Sequence, residues 1–513
     1  MGLMQLVSYG AQDIYISGNP QITFWKILYK RHTNFAVESI EVTFNGQADF
    51  NKRVTAVINR NADLMYKTYL QVVLPQITLS GTAGFRWLNY IGHRLIKQVE
   101  VEIGGQRIDR QYGDWMQIWT QLTVDAGNVK ALDAIIGNTH DLVLTKRGTG
   151  IPLDATCSST ETTISCLPRQ GTPAKTLYIP LQFWFCRNPG VAIPLIALQY
   201  HEVRINVDFE TWQNCQYAED VVGHPTALSA QSLAAASLYV DYVYLDTEER
   251  RRFAQQSHEY LIEQVQFTGA ESITSSSNKI QLNFNHPVKE LFWVVQRDSF
   301  VDCSTSTWLA SVGGAQPFNY SDDFSTDGII TSLLTQTSST AATVNASSIG
   351  ASNATAPLGG DATNLSSIVG ADSLDVTGSG EFESGVNYLL AKVILDSGVR
   401  CEGKNPVEVA KLQLNGQDRF TEREGAYFDK VQPFQHHSRT PSTGINVYSF
   451  ALRPEEHQPS GTCNFSRIDK ATLQLTVSLN TVTGSRTAQV RVYALNYNVL
   501  RVMSGMGGLA YSN

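Results

Sequence analysis

The chain has 513 residues and a mass of 56.6 kDa, and its 47 acidic and 39 basic residues give a net charge of −8. This balance argues against a protein that wraps nucleic acid, and the lack of an apolar run of about 18 residues argues against a membrane-spanning helix. Only 17% of residues are charged, and 38 Gly, 17 Pro and 10% aromatic residues are typical of an all-β protein with many turns.

A short helix is predicted near the N-terminus. Asn19 and Pro20 form a favourable cap and first-turn pair, and Ile22, Trp25 and Tyr29 would then lie on one helix face. No Lys or Arg precedes Lys26, so we expect no ordinary signal peptide.

Alternation of apolar and polar residues dominates the rest of the chain. Residues 40–44 alternate and run into Asn45-Gly46, a dipeptide typical of a two-residue hairpin turn. Further alternating segments predict half-buried antiparallel strands. They are residues 99–103, Val203–Phe209, 280–284, 473–479 and 490–495.

A second helix is predicted between these strands. Asp114 can cap it, and Trp115, Ile118, Trp119 and Leu122 follow at helical spacing. Because such a stripe is usually buried, we expect the two tryptophans to fill a core or a subunit contact rather than to bind a sugar.

A third helix is predicted near mid-chain. Asp246 and Glu249 have the spacing of a capping box, and the basic triplet 250–252 follows. We interpret residues 246–259 as a linker helix with a solvated face rather than as a nucleic-acid patch.

The two halves of the chain carry similar motifs in the same order, which indicates a duplicated domain. The pairs, with their offsets, are Phe44-Asn45-Gly46 and Phe267-Thr268-Gly269 (223), Asn59-Arg60-Asn61 and Asn283-Phe284-Asn285 (224), residues 103–106 and 414–417 (311), residues 203–209 and 473–479 (270), and residues 238–245 and 488–495 (250). The jump from 224 to 311 places a long insertion in the second half.

Composition locates this insertion at residues 298–391, which contain no Lys or Arg. Because strand-like segments resume after it, we expect a long surface loop. The predicted fold class is all-β, a double jelly roll of two consecutive eight-stranded antiparallel β-sandwiches with a few short helices and long surface loops. The predicted segments are an N-terminal arm (1–25), a first jelly roll (26–245), the linker helix (246–259) and a second jelly roll (260–513).

Six long stretches are specific enough to identify a family. They are LVSYGAQDIY (6–15), GNPQITF (18–24), RHTNFA (31–36), PLIALQYHEV (194–203), LNGQDRF (414–420) and NYNVLR (496–501). Together they resemble the major capsid proteins of nucleocytoplasmic large DNA viruses. The C-terminal MSGMGGLA (503–510) is similar to the chlorella-virus (phycodnavirus) branch. The resemblance spans nearly the whole chain and fails mainly in the insertion.

This resemblance implies a structural subunit that is not an enzyme. Three copies would form a pseudo-hexagonal capsomer, and capsomers would tile the icosahedral shell of a large double-stranded DNA virus. The implied partners are the chain itself, neighbouring capsomers, minor capsid and penton proteins, and an internal viral membrane approached through the N-terminal side. Direct nucleic-acid binding is not expected. The protein would be made and assembled in the host cytoplasm and would reside in the outer shell of the virion.

Two other functions stay open. A virion-surface β-sandwich could bind carbohydrate through its loops, although a lectin has no need for the near-hexagonal outline that a duplication provides. A β-sandwich glycoside hydrolase could use Glu100 and Glu102, which share one strand face. Their alternation with apolar residues favours the solvated face of a half-buried strand, so we predict no catalytic residue.

Neither a metal nor a cofactor is predicted. The pairs His201-Glu202 and His258-Glu259 do not extend to H-E-x-x-H, and the adjacent His436 and His437 would point to opposite sides of a strand. The seven cysteines show no C-x-x-C spacing, so reduced and mostly buried thiols are expected.

Glycine pairs are interpreted as turns rather than as phosphate loops. Gly104-Gly105 and Asn415-Gly416 are typical of tight turns. Residues 505–508 (GMGG) lie at the end of the chain, where no helix follows to hold a phosphate.

Four asparagines in the insertion begin N-x-[ST] sequons: Asn319, Asn345, Asn353 and Asn364. Ordinary sequons are used on a secretory route that this N-terminus does not indicate. The hypothesis of glycosylated tower loops at these residues therefore rests on the resemblance, which implies glycans added by virus-encoded enzymes.

Overall fold

The structure, a computed structural model, describes residues 2–79, 84–143, 146–149, 165–168, 171–219, 228–301, 315–322, 403–484 and 486–511. Its strands lie in two runs, one on each side of a helix near mid-chain. The first run consists of β1 (Phe35–Val42), β2 (Arg53–Val57), β3 (Leu64–Leu74), β4 (Ile77–Thr78), β5 (Gly84–Trp87), β6 (Ile96–Ile103), β7 (Gln106–Tyr112), β8 (Lys146–Thr149), β9 (Ser165–Pro168), β10 (Gly171–Thr172), β11 (Lys175–Pro180), β12 (Ile193–Pro194), β13 (Val203–Phe209), β14 (Gln216–Glu219) and β15 (Ala235–Leu245).

The second run begins directly after that helix. It consists of β16 (His258–Ile273), β17 (Ser277–Leu282), β18 (Pro287–Arg297), β19 (Val407–Leu414), β20 (Gln417–Asp418), β21 (Arg423–Glu424), β22 (Ile445–Ser449), β23 (Cys463–Asn464), β24 (Ala471–Val477), β25 (Ala488–Met503) and β26 (Met506–Leu509). The alternating segments of the sequence all lie within or overlap these strands.

Each run folds into two antiparallel sheets. In the first half the sheets have the orders β1-β15-β3-β11 and β2-β13-β6-β7, with β12 beside β3. Short ladders pair β4 with β10, β5 with β14 and β8 with β9. In the second half the orders are β16-β25-β18-β22 and β17-β24-β19-β20. In addition, β23 pairs with β18, β26 pairs with β25 and β21 pairs with β19.

The two halves have the same connectivity, strand for strand. In each half the first of the main strands pairs with the last and the second pairs with the last but one, which is the connectivity of a jelly roll. The first residues of β3 and β18 differ in number by the offset 223, and those of β6 and β19 differ by the offset 311, as in the sequence repeat. The predicted double jelly roll is therefore confirmed.

Short helices connect and flank the strands. They are α1 (Gly2–Val7), α2 (Ile14–Ser17), α3 (Ile91–Leu95), α4 (Gly113–Thr123), α5 (Val129–Ile136), α6 (His140–Val143), α7 (Trp184–Arg187), α8 (Thr247–Gln255), α9 (Asp298–Val301) and α10 (Gln432–His436). A π-helical turn (Tyr427–Val431) leads into α10, and 3₁₀ turns occur at Ala126–Asn128, Pro189–Val191 and Phe465–Arg467.

Two of the three predicted helices are present. α8 begins where expected, and the Asp246 carboxylate accepts a hydrogen bond from the N–H of Thr247 at 2.8 Å. The helix predicted after Pro20 is wrong, since the residues that follow form no helix. Ile22 and Trp25 are 65% and 95% exposed, so the apolar face that would stabilise a helix there has nothing to pack against among the residues that the structure describes.

Tight hairpin turns lie where glycine pairs predicted them. Gly104-Gly105 joins β6 to β7 and Asn415-Gly416 joins β19 to β20; all four residues have positive φ, which the two-residue turn requires. Ser504-Gly505 forms the same kind of turn between β25 and β26.

The hairpin predicted at Asn45-Gly46 is wrong. β1 pairs with β15 in one sheet and β2 pairs with β13 in the other, so this turn carries the chain between sheets. Asn45 donates its N–H to the carbonyl oxygen of Thr55 at 2.8 Å, which is an isolated bridge. A turn dipeptide reports local backbone preference and does not select the partner strand.

Only part of the insertion falls among the described residues. Of residues 298–391, the structure describes 298–301 and 315–322. In the second stretch Phe318 and Tyr320 are buried, and Phe318 lies edge-on to Tyr90 with centroids 6.0 Å apart. This stretch packs against the first sandwich rather than forming the expected surface loop.

The buried apolar residues form two large clusters that share strand β18. Leu291, Trp293 and Val295 point into the core of the second sandwich. Phe292 and Val294 point the other way and belong to the cluster that fills the first sandwich. β18 is therefore buried on both faces, and the first sandwich covers the outer face of the second.

Candidate assembly surfaces

Helix α4 holds the two sandwiches together within the chain. Trp115 lies edge-on to Phe292 with centroids 5.0 Å apart and 5.8 Å from Tyr493, and Trp119 lies 6.3 Å from Phe292. All four residues are at most 3% exposed. The expectation that these tryptophans fill a core is confirmed, and the core is the contact between the two halves.

Asp114 has a different role from the predicted cap. The N-cap residue of α4 is Tyr112, and Asp114 lies in the first turn, where an acidic residue is favourable. Its carboxylate forms a hydrogen-bonded ion pair with Arg491 on β25, across the contact between the sandwiches. The sequence could not reveal this pairing because the two residues are far apart in the chain.

A buried ion cluster lies beside α4. Glu263 on β16 binds Lys289 at 2.5 Å and Arg187 at 2.9 Å, and the Arg187 guanidinium lies 4.7 Å from the ring centre of Trp119. Burial raises the pKa of the Glu263 carboxyl, but the two cations outweigh it and hold the pKa below its ordinary value. Because Arg187 comes from the first sandwich, this cluster crosses the contact as well.

His437 is the centre of a second buried cluster. Its Nε2 lies 3.1 Å from Glu290 and its Nδ1 lies 3.0 Å from Glu455, while its ring lies edge-on to Trp119 at 6.4 Å. Burial alone lowers the pKa of His437, but the two carboxylates raise it to about 9. His436, at the end of α10, faces the carbonyl oxygen of Leu452 instead, so the two histidines diverge, although they lie at the end of a helix and not on a strand.

Glu100 and Glu102 share a strand face as predicted, but the expectation of a solvated face is wrong for Glu100. Its side chain is 4% exposed and accepts hydrogen bonds from Arg53 at 2.7 Å and Arg110 at 2.5 Å, with Arg107 at 3.7 Å. Burial raises the pKa of Glu100, and Arg110 and Arg53 hold it below its ordinary value. A glycosidase acid needs a raised pKa, so this environment disfavours catalysis.

The remaining histidine candidates have structural contacts. The Nδ1 of His201 lies 3.0 Å from the carbonyl oxygen of Gly507, which fastens the C-terminal strand to the first sandwich. His258 lies 2.9 Å from the carbonyl oxygen of Phe253 at the end of α8. Among the described residues, no group of three or more His, Cys, Asp or Glu could hold a metal ion.

The described cysteines are free thiols. Cys186 and Cys215 are buried and Cys463 is half-buried, and these three are the cysteines whose side chains the structure describes. In the part of the chain that the structure covers, no helix is long and apolar enough to cross a membrane.

The N-terminal arm and the residues between it and β1 form an exposed apolar surface. Residues 2–34 contain only short helices, and large side chains along them are more than half exposed. They include Leu3, Leu6, Tyr15, Ile16, Phe24, Trp25, Leu28 and Tyr29. Exposed apolar surface of this extent is typical of a binding surface.

The outer face of the sheet β1-β15-β3-β11 carries three tyrosines, which we call the tyrosine face. Tyr69 stacks on Tyr239 at 5.3 Å and lies edge-on to Tyr178 at 6.1 Å. Two of the hydroxyls have hydrogen-bond partners on the same sheet: Tyr239 donates to the Glu41 carboxylate at 3.5 Å, and Tyr178 accepts from the Gln71 amide at 3.3 Å. Tyr178 is 40% exposed and Tyr69 and Tyr239 are half-buried.

The second sandwich presents an exposed apolar helix. In the segment Tyr427–His436 the side chains of Val431 and Phe434 are 39% and 81% exposed, and the neighbouring Leu452 is 76% exposed. We call this segment the second-sandwich helix. Neither this surface nor the tyrosine face was predicted from the sequence. The repeat offset of 223 relates Tyr69 to Phe292, which is buried, and a comparison of these two residues could have indicated the tyrosine face.

One predicted glycosylation site is among the described residues. Asn319 is half-buried; its amide donates to Gln316 at 2.7 Å, and its oxygen accepts from the backbone and hydroxyl of Ser321. A glycan would replace one of the two hydrogens on this nitrogen and leave a single N–H for the bond to Gln316. Asn345, Asn353 and Asn364 lie outside the described residues.

Two family models match nearly the whole chain between them. The model described as "Large eukaryotic DNA virus major capsid protein" matches residues 249–508, and "Major capsid protein N-terminus" matches residues 23–246.

Curated relatives and solved structures agree with these models. The chain is 58% identical to the major capsid protein of Phaeocystis pouchetii virus, with 100% of this chain and 99% of the relative covered. It is 38% identical to that of Paramecium bursaria Chlorella virus 1, with the same coverage. A solved chain titled "PBCV-1 virus capsid, quasi-atomic model" is 32% identical with a TM-score of 0.62, covering 96% of this chain and 100% of that chain. The Faustovirus major capsid protein, 13% identical with a TM-score of 0.64 over 98% of this chain and 96% of that chain, shares the fold.

Proposed function

The chain belongs to the major capsid protein family of large eukaryotic DNA viruses, and from this premise we propose that it forms homotrimeric, pseudo-hexagonal capsomers that tile an icosahedral shell. The protein is a virion shell subunit. The observation that carries the trimer is the duplicated sandwich, because three chains with two equivalent sandwiches each can present six similar outlines. Such a trimer packs against its neighbours with near-hexagonal symmetry.

The contact within the chain supports this assembly. α4 of the first sandwich covers the outer sheet face of the second, so one sandwich already docks on the next by a fixed geometry. Repetition of one asymmetric contact produces a closed ring when its rotation divides a full turn, and a rotation of about one sixth of a turn per sandwich would close the proposed trimer. We propose the segments 1–25, 26–245, 246–259 and 260–513 as the functional units of the subunit.

The N-terminal arm is the proposed contact to the inside of the shell. Its exposed apolar residues, among them Phe24 and Trp25, fit minor capsid and penton proteins or the region next to an internal membrane. We also propose that the loops of the insertion are glycosylated at Asn319, Asn345, Asn353 or Asn364 and that assembly takes place in the host cytoplasm. An intact mass of virion protein equal to the bare 56.6 kDa chain would contradict glycosylation.

A structural role without catalysis is the proposal for the whole subunit. The relatives carry the name of major capsid proteins, and the pKa of Glu100 is shifted away from that of a catalytic acid. No feature of the described residues favours the alternative, a carbohydrate-binding sandwich. A glycan array that shows specific binding would revive it.

Light scattering on the purified full chain tests the trimer. We expect a species of about three times 56.6 kDa that persists on dilution. A mass of 56.6 kDa at every concentration would contradict the proposal of a self-assembling capsomer.

A further inference from the structure

The outer sheet faces of the two sandwiches are equivalent but differ in how they are covered. Phe292 on β18 lies opposite Tyr493 on β25, and Tyr69 on β3 lies opposite Tyr239 on β15. The first pair is at most 1% exposed and is covered by Trp115 of α4. The second pair is the centre of the tyrosine face.

The burial patterns of the two equivalent strands express this difference. β18 is buried at nearly every position, as expected for a strand covered on both faces. β3 alternates between buried and less buried residues, so its outer face is open to a further contact.

The two helices are equivalent as well. Gly113 starts α4 and a Cβ there would overlap the carbonyl oxygen of Ile96, the first residue of β6. Gly425 lies just before the second-sandwich helix, and a Cβ there would overlap the carbonyl oxygen of Val407, the first residue of β19. Each helix therefore begins in close backbone contact with the first residue of a strand, and the two strands, β6 and β19, are equivalent.

The two helices carry apolar residues at corresponding positions of the sequence, although the second-sandwich helix begins with a π-helical turn and α4 does not. Counting from the two glycines, Trp119 of α4 corresponds to Val431 and Leu122 corresponds to Phe434. Trp119 and Leu122 are buried, whereas Val431 and Phe434 are exposed.

We propose that the second-sandwich helix of one copy docks through Val431 and Phe434 on the tyrosine face of a second copy. This contact is the equivalent, between chains, of the contact that α4 makes within the chain. The inference rests on the proposed trimer and names the surfaces that close it. It is heterologous, because each copy gives a helix on one side and receives one on the other.

The charges at the two contacts agree with this equivalence. Within the chain Asp114 of α4 is paired with Arg491, which lies opposite Val294 on β18. At the equivalent positions of the proposed contact stand Ala426 and Ser237, the latter opposite Gln71. Both members of the ion pair are absent together, so docking would not bury one of these two charges without the other.

Cysteine cross-linking tests the contact and its asymmetry. In the double variant Tyr239→Cys/Phe434→Cys, mild oxidation should link three chains into a covalent trimer on a non-reducing denaturing gel. Each single variant alone should run as a single chain, and the two single variants co-expressed should give a covalent dimer. The wild type controls for cross-links through the native cysteines. Tyr239→Cys/Leu479→Cys controls for the position of the second cysteine, because Leu479 is a 67% exposed apolar residue outside the second-sandwich helix.

The outcomes separate this inference from the proposed function. If light scattering gives a trimer but the double variant stays a single chain on the gel, the docking surfaces are wrong and the trimer stands. Cross-linking of a single variant to itself would show a symmetric contact and would also overturn the inference. A monomeric wild type would contradict both proposals.

A charge at the docking residue gives an independent readout. Phe434→Asp should convert the trimer to monomer at micromolar concentrations, while Leu479→Asp should leave the trimer mass unchanged. Equal masses for the two variants would overturn the inference.

Discussion

Buried ionisable residues of this protein are concentrated where its two sandwiches meet. Glu263, Glu290, Lys289 and His437 are each almost fully enclosed, and each has an opposite charge within hydrogen-bond distance. Removing one member of such a group leaves its partner as an uncompensated charge, which costs more than the pair contributes. The residues at this contact are therefore the ones at which single substitutions should have large effects.

His437→Gln should lower the free energy of unfolding by about 3–5 kcal/mol at pH 7, because it leaves Glu290 buried without its cation. Chemical denaturation measures the difference. His436→Gln is the matched control and should cost less than about 1 kcal/mol. Equal effects of the two variants would contradict a charged His437.

The stability of the wild type should also depend on pH through His437. Its pKa of about 9 exceeds the ordinary value of 6.5, so the stabilisation is fully present below pH 6.5 and is lost as pH rises through 9. The loss should approach about 3 kcal/mol. Denaturation curves between pH 7 and 10 should show it in the wild type and lack it in His437→Gln/Glu290→Gln.

Glu100→Gln should destabilise the protein by about 1–3 kcal/mol, because the carboxylate lies beneath three arginines. Glu102→Gln should change stability by less than about 0.5 kcal/mol, because Glu102 lies 3.8 Å from the half-exposed Arg53. Urea denaturation of both variants checks this. The pKa of Glu100 is lowered from its ordinary value of 4.5, so its contribution should be fully present above pH 4.5 and be lost as pH falls through the lowered pKa.

At the scale of the elements, the local sequence predicted the positions of strands and turns better than it predicted which strands pair with each other. The alternation in Val203–Phe209 and the glycine pair at residues 104 and 105 depend on the backbone and on one buried face, and both were predicted correctly. The partner of β1 is β15, the last strand of the first sandwich, and a local pattern carries no information about so distant a segment. The same limit explains Asp114, whose partner Arg491 lies on β25.

The candidate surfaces were harder to predict than the fold. Tyr69 and Phe292 look alike in the sequence, since each is an aromatic residue in an alternating or apolar strand. Their difference arises only because α4 covers one of them. The false helix after Pro20 has a related cause, because its apolar stripe has no packing partner in the described part of the chain.

Gly425→Ala should destabilise the second sandwich by about 1–3 kcal/mol, because the added Cβ would overlap the carbonyl oxygen of Val407 at the start of β19. Gly127→Ala is the control, since nothing lies within 4 Å of a Cβ there. Thermal denaturation should show a lower midpoint for the first variant and no decrease for the second. An unchanged midpoint in Gly425→Ala would mean that the backbone at residue 425 does not pack tightly against β19.

At the scale of the whole molecule, the two sandwiches should unfold as one cooperative unit. The cluster that fills the first sandwich includes Phe292 and Val294 from β18, so neither half completes its burial alone. This contact is apolar and extensive, unlike the looser interfaces that let domains move independently.

The double variant Trp115→Ala/Phe292→Ala should split the calorimetric transition of the wild type into two. Truncation of both rings removes the apolar coupling, and each change costs about 3–5 kcal/mol. Trp293→Ala is the matched control, because Trp293 lies next in sequence but faces the core of the second sandwich. It should lower the midpoint and keep one transition; two transitions in the wild type would contradict the coupling.

Helix α8 affects how steeply the assembly of capsomers depends on the concentration of the chain. It joins the sandwiches covalently, and Arg250 holds it to Asp63 of the first sandwich at 3.0 Å. In the proposed capsomer, half of the six contacts around the ring are thereby unimolecular, with an effective concentration set by the tether rather than by the supply of protein. By mass action, the equilibrium concentration of the ring then depends on the third power of the chain concentration, where six separate sandwiches would give the sixth power. The duplication would thus let capsomers form at lower subunit concentrations than separate sandwiches would require.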